Sequence, residues 1–135
     1  MSQTYEPYQV RREGNAPISF DGKILFEEDT YYFNGSNQAR WFEAKIYETK
    51  TGKFVAEWIY HTNWQGESDR FFCEIVDTDK AAREELKSFS PQDLEKIGFP
   101  DRPQYTDRQA NLFRHLKRMW DHIISEALED MPERI

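Results

Sequence analysis

The sequence is nearly without cysteine. Cys73 stands alone, so no intramolecular disulfide and no multi-cysteine zinc cage can form, and nothing calls for an oxidising compartment. The cytosol is the expected location. Long apolar runs are also missing: no stretch approaches the ~20 apolar residues that a membrane helix requires. Residues 1–10 are polar and carry acidic Glu6, unlike a secretory signal. A soluble protein without membrane contact is expected. Only six glycines and six prolines occur in 135 residues, scattered between patterned segments rather than gathered in a linker. With no internal repeat, this length fits one domain over 1–135.

Standard catalytic signatures are absent as well. There is no G-x-S-x-G, no phosphate-binding glycine loop and no H-E-x-x-H, and no cofactor is implied. Positive charge is scarce, with 18 Lys and Arg against 25 Asp and Glu and a formal net charge of −7. That balance discourages generic adhesion to nucleic acid or anionic lipid. The exception is 102–122, where Arg102, Arg108, Arg114, Lys117 and Arg118 meet only Asp107 and Asp121, a local +3 that leaves −10 on the remainder.

Large rings are plentiful, at 16% aromatic residues, and point to a core rich in Phe, Tyr and Trp. The pattern predicts an α+β fold with a four- or five-stranded antiparallel sheet in the first half, covered by C-terminal helices. Residues 1–17 lack clear periodicity and read as an arm, loosely ordered or docked on the body. The sheet is expected over 18–77. Asp21-Gly22, between Ile18-Ser19-Phe20 and Lys23-Ile24-Leu25, suits a tight hairpin turn. A β-prone run through Thr30-Tyr31-Tyr32-Phe33 stops at Asn34-Gly35-Ser36-Asn37.

The clearest local signal is a hairpin over 40–62 turning at Lys50-Thr51-Gly52. Pairing Thr49 with Lys53 sets Ile46 opposite Ala56, Ala44 opposite Trp58 and Phe42 opposite Tyr60, an apolar face suited to burial. The other face pairs Tyr47 with Val55, Lys45 with Glu57, Glu43 with Ile59 and Trp41 with His61. It is expected to be half exposed. A loop over 63–69 leads to a further strand over 70–76.

Helices are expected over 78–131. Asp77 or Thr78 can cap the first, Ser90-Pro91 can start a second, and Thr106 with Gln109 forms a capping box for the last, about 106–131. Leu112, Phe113, Leu116, Trp120, Ile123, Ile124, Ala127, Leu128 and Met131 recur at helical spacing, and Pro132 closes the run.

Several constellations bear on function. Trp41, Tyr47, His61 and Trp64, with Arg70 nearby, gather at one end of the mixed sheet face, as aromatics beside charges do at interaction surfaces. The plainer reading is that the arm, with Tyr5 and Tyr8, covers this face. Asp29, Glu43 and Lys45 follow the order of a metal-dependent nuclease of the PD-(D/E)xK type. E-x-K recurs at Glu48/Lys50 and Glu85/Lys87, however, and Lys45 opposite Glu57 is explained by a cross-strand ion pair. His115 and His122 lie two helical turns apart, too far to chelate one metal directly. Cys73 with His61 could form a nucleophile and base, but Cys73 sits in an apolar strand that reads as core.

Arg40-Trp41-x-Glu43, Tyr47-x-Thr49-x-x-Gly52-Lys53-Phe54-Val55 and Trp64-Gln65-Gly66-Glu67-x-Asp69-Arg70 together resemble a family of small bacterial proteins associated with mobile elements. The resemblance covers 40–77. It implies a shared hairpin-based domain and brings no activity or catalytic residue.

Three functional expectations follow, in order. The first is a non-enzymatic binding or regulatory module, or a small subunit of an assembly, contacting a protein partner, a basic one given the acidity, through Trp41, Tyr47, His61, Trp64 and Arg70. The second is nucleic-acid contact through Arg108, Arg114, Lys117 and Arg118, or an acidic mimic of nucleic acid. The third is the nuclease using Asp29, Glu43 and Lys45.

Overall fold

The computed structural model describes residues 4–12, 14–30, 40–63, 68–89 and 107–129, with the side chains of 107–113, 115 and 127–129 outside the description. The elements run β1 (Glu6–Val10), β2 (Ile18–Asp29), β3 (Arg40–Thr49), β4 (Phe54–Thr62), β5 (Arg70–Val76), α1 (Asp79–Ser88) and α2 (Asp107–Glu129). All five strands form one antiparallel sheet in sequence order, and each strand pairs with the next.

The central hairpin has the register that its sequence dictates. Thr49 N donates to Lys53 O at 2.8 Å, and Gly52 turns the chain at φ 89°, a conformation that costs other residues a clash at Cβ. From that turn, Ile46 pairs with Ala56, Ala44 with Trp58 and Phe42 with Tyr60. This face is fully buried beneath the helices, where Leu86 of α1 and Leu116, Met119, Trp120 and Ile123 of α2 complete the main core. Trp58, whose buried Nε1 has no hydrogen-bond partner among the described residues, is held by ring packing, stacked on Phe72 and tilted against Phe89.

Thr78 caps α1 by accepting from Ala81 N at 3.0 Å, and Arg83, four residues after Asp79, bonds that carboxylate while lying over the Phe26 ring. The cap is one of the two residues expected from sequence. The helix start at Ser90, the strand residues Tyr31 to Phe33 and the Thr106 cap lie outside the described residues.

Two expectations change. Asp21-Gly22 is not a turn, because Ile18–Asp29 is one twelve-residue strand and Gly22 does not have positive φ. The glycine serves close approach instead: a Cβ there would stand 2.9 Å from both the Glu48 carbonyl oxygen and the Phe20 ring. The segment read as an arm also contributes β1, with Tyr8 opposite Phe20 and Val10 opposite Ile18.

The sheet curls. Between Ile24 and Phe26 the β2–β3 register shifts, making Leu25 an extra residue that turns Phe26 toward the helices and bends the strand. The bend carries β1 over the sheet's second face, where Val10, Tyr47, Val55 and Cys73 form a smaller core with Tyr8, Ile18 and Phe20. Just past β1, the Arg11 guanidinium lies 4.1 Å from the Phe71 ring centre on β5, at the far edge of the sheet.

Candidate functional site

The second face therefore has a covered end and an open end. At the covered end Tyr8 packs 4.9 Å and Phe20 5.2 Å from the Tyr47 ring, centre to centre. Tyr47, expected on a half-exposed contact surface, is only 2% exposed. Its hydroxyl donates to Glu57 Oε1 at 2.7 Å, and Glu57 is itself 6% exposed. Burial pushes the Tyr47 phenol well above its usual range, with the neighbouring carboxylate adding to the shift. Burial likewise raises the Glu57 carboxyl, against the opposing pull of Tyr47 and Lys45.

Toward the open end the polar groups continue as a chain of charges. Lys45 reaches Glu43 at 3.2 Å and Glu27 at 3.5 Å. Burial works against the Lys45 ammonium, yet Glu43, Glu57 and Glu27 together hold its pKa above the ordinary lysine value. Glu43 lies diagonally across the hairpin from His61, with Oε2 3.6 Å from Nε2, an ion-pair distance rather than a hydrogen bond. On the other side of the imidazole, Nδ1 lies 3.0 Å from Asp69 Oδ2, and Asp69 Oδ1 accepts from Thr62 N at 2.9 Å. Trp41 stacks on the same ring at 5.1 Å, with the planes inclined by 21°.

His61 is thus held between two carboxylates and one indole face, an arrangement that suits the imidazolium because Nδ1 can donate to Asp69 while Glu43 lies at ion-pair distance on the other side. Glu43 foremost, against the cost of burial, and then Asp69 raise its pKa above the usual histidine value. The same contact, opposed by burial and aided by Lys45, lowers the Glu43 pKa. A histidine whose folded pKa is raised adds stability below the unfolded value, about 6.5, and that stability is lost as pH rises through the folded value. His61→Gln is accordingly expected to flatten this alkaline-side loss in urea midpoints measured across the range. A midpoint profile unchanged from wild type would contradict the clamp.

The expected site residues separate. Trp41 and His61 come together, half buried, at the open end, and Arg70 lies one strand further on, where it pairs with Tyr60 in the β4–β5 ladder. Tyr47 belongs to the covered end, because the curl lays Tyr8 and Phe20 over it. Trp64 lies outside the described residues. Among the described residues, the arm with Tyr8 covers one half of the face and leaves the other half uncovered.

Asp29 and Glu43 are backbone partners, and Lys45 lies two residues along β3, so the nuclease set does share one neighbourhood. Glu43 is already engaged by Lys45 and His61, and among the described residues no three His, Cys, Asp or Glu side chains are grouped to hold a metal. Cys73 is buried, its thiol pushed up by burial to about 11, and it sits opposite Glu57 rather than beside His61. On α2, Arg114, Lys117 and Arg118 are exposed, and Lys117 bonds Asp121 at 2.9 Å; the Arg108 side chain is outside the description. Within the described residues no helix is long and apolar enough to cross a membrane.

Sequence reasoning missed Asp69 and Glu27 as members of the site. Asp69 bonds back to His61 and Thr62 of the strand before it, and Glu27 reaches Lys45 only through the β2–β3 pairing. Neither has a local sequence signal. Compared with known proteins, the chain matches no family model, no curated protein and no solved structure.

Proposed function

We propose that this chain is a non-enzymatic binding module of the cytosol that takes a basic protein segment on the open end of its second sheet face. The observation that carries this reading is the half-buried Trp41–His61 stack, set among the carboxylates of Glu27, Glu43 and Asp69. An aromatic face beside carboxylates favours arginine and lysine through stacking and charge together. The net charge of −7 steers such a partner in at long range. Membership of the mobile-element-associated family belongs to the same proposal and adds no residue role.

Fluorescence anisotropy with Lys- and Arg-rich peptides against Asp- and Glu-rich ones tests it. Basic peptides are expected to bind, more weakly as salt rises, and Trp41→Ala is expected to weaken them about tenfold or more. Indifference to peptide charge, or equal binding by Trp41→Ala, would contradict the assignment.

A second reading, nucleic-acid contact, is favoured by the exposure of Arg114, Lys117 and Arg118 on one side of α2. It requires a salt-sensitive mobility shift that disappears when these three charges are removed.

A further inference from the structure

Two carboxylates flank the His61 ring, and each has a second anchor. Glu43, whose Oε2 lies 3.6 Å from Nε2, is also held by Lys45 at 3.2 Å. Asp69, whose Oδ2 lies 3.0 Å from Nδ1, is also held by the Thr62 N–H at 2.9 Å. Both are therefore kept in place independently of the imidazole charge. The side chains of His61, Glu43 and Asp69 are 20%, 27% and 36% exposed, so solvent screens them less than free surface charges, while each can still be reached.

The two ring nitrogens differ. Only the Nδ1 contact has hydrogen-bond length, so a neutral ring keeps its proton on Nδ1 and donates it to Asp69. Nε2 then turns a lone pair toward Glu43, and two acceptors stand 3.6 Å apart with no proton between them. A guanidinium suits such a place, because its planar fork offers neighbouring N–H donors together with charge. In the imidazolium, Nε2–H fills the same place and its charge repels a second cation. We propose that His61 Nε2 and Glu43 form a receptor for an arginine side chain that opens when His61 gives up its proton, the imidazolium being the internal cation that keeps it closed. The proposal rests on the reading of this end as a site for a basic segment, and adds which residue is taken and what controls entry.

The charged surroundings set the sign. Besides Glu43 and Asp69, Lys45 of β3 carries Glu27 of β2, and Asp29 of β2 pairs with Glu43. Glu57 of β4 is turned to Tyr47, and Arg11, after β1, lies over Phe71. Arg70 of β5 pairs with Tyr60 and so belongs to the opposite face. Acids outnumber the permanent cations, and loss of the His61 proton leaves the end one unit more negative. An arginine therefore binds more tightly as pH rises. Glu57, whose carboxyl burial raises, also gains charge in that direction, so the test must separate it from His61.

Fluorescence anisotropy with an Arg-rich peptide, its ends blocked so that its own charge is constant, gives the affinity from about pH 5.5 to about pH 9, on both sides of the ordinary histidine value. Wild type is expected to bind about fivefold or more tightly at the alkaline end. His61→Gln is expected to lose most of this gain and Glu57→Gln to keep it, with circular dichroism checking that both variants are folded. A Lys-rich peptide is expected to gain less than the Arg-rich one. By reciprocity, saturating Arg-rich peptide is expected to lower the His61 pKa, followed through the ring signals by nuclear magnetic resonance of the wild type. Affinity level with pH, a gain kept in His61→Gln, an equal gain for the Lys-rich peptide, or a His61 pKa that the peptide does not lower would overturn the proposal and leave the basic-segment reading standing. No binding of either peptide at any pH would overturn both.

Discussion

Trp120→Ala is expected to lower the unfolding free energy by about 3–5 kcal/mol, enough to leave a domain of ordinary stability barely folded. Trp120 is buried at the point where α2, α1 and the sheet meet, with Phe42 5.2 Å and Phe89 4.9 Å away, ring centre to ring centre. Its indole N–H also donates to Leu86 O at 3.1 Å. Leu86 stands in the last turn of α1, where carbonyls have no partner within the helix, so the tryptophan both fills the core and satisfies a helix end. Trp120→Phe separates the two roles. It keeps most of the packing and loses the donor, and the expected cost falls to about 1–3 kcal/mol. Urea unfolding of both variants checks this, and a Trp120→Phe midpoint equal to that of wild type would show that the hydrogen bond to Leu86 carries nothing.

The second large effect is expected at the buried Tyr47–Glu57 pair. Tyr47→Phe removes the donor from a carboxylate that has little solvent, at an expected cost of about 1–3 kcal/mol at neutral pH. Glu57→Gln should act in the opposite direction. The amide oxygen can still accept from Tyr47, and no charge has to be buried. The sign of the pH dependence follows from the raised Glu57 pKa. The folded state holds the Glu57 proton more tightly than the unfolded state, so its contribution to stability declines as pH rises from the ordinary glutamate value, about 4.3, through the folded value. Glu57→Gln is therefore expected to be at least as stable as wild type at neutral pH and to lose that advantage in acid. Denaturation at the two pH values decides. A Gln variant that is weaker at neutral pH and recovers in acid would mean that the charge of Glu57, held by Lys45, stabilises the fold.

Much of the fold is legible in the sequence where local rules act alone. The 40–62 hairpin is one example: Gly52 fixes the turn, the turn fixes the register, and the register fixes which face is apolar. The Thr78 cap is another. Asp21-Gly22 misleads because the same glycine serves either a turn or a close approach, and the choice depends on Phe20 and Glu48, of which Glu48 is remote in sequence. The curl is illegible for a similar reason. It arises at Leu25, where nothing local marks a bulge, and it alone decides that Tyr47 is covered while Trp41 and His61 remain half open. The Glu43–His61 contact could have been read from the hairpin register as a diagonal pair. Asp69 could not, since it lies outside the strands and no register places it.

The reading of the open end is tested most directly by nuclear magnetic resonance of the labelled protein during titration with a Lys- and Arg-rich peptide. The largest shift changes should fall on the Trp41 indole and the His61 ring, with smaller ones at Glu43 and Asp69, while the covered residues around Tyr47 stay still. Saturable changes confined to α2 or to β5, or none at all, would show that the acidic aromatic end is not where a basic partner docks.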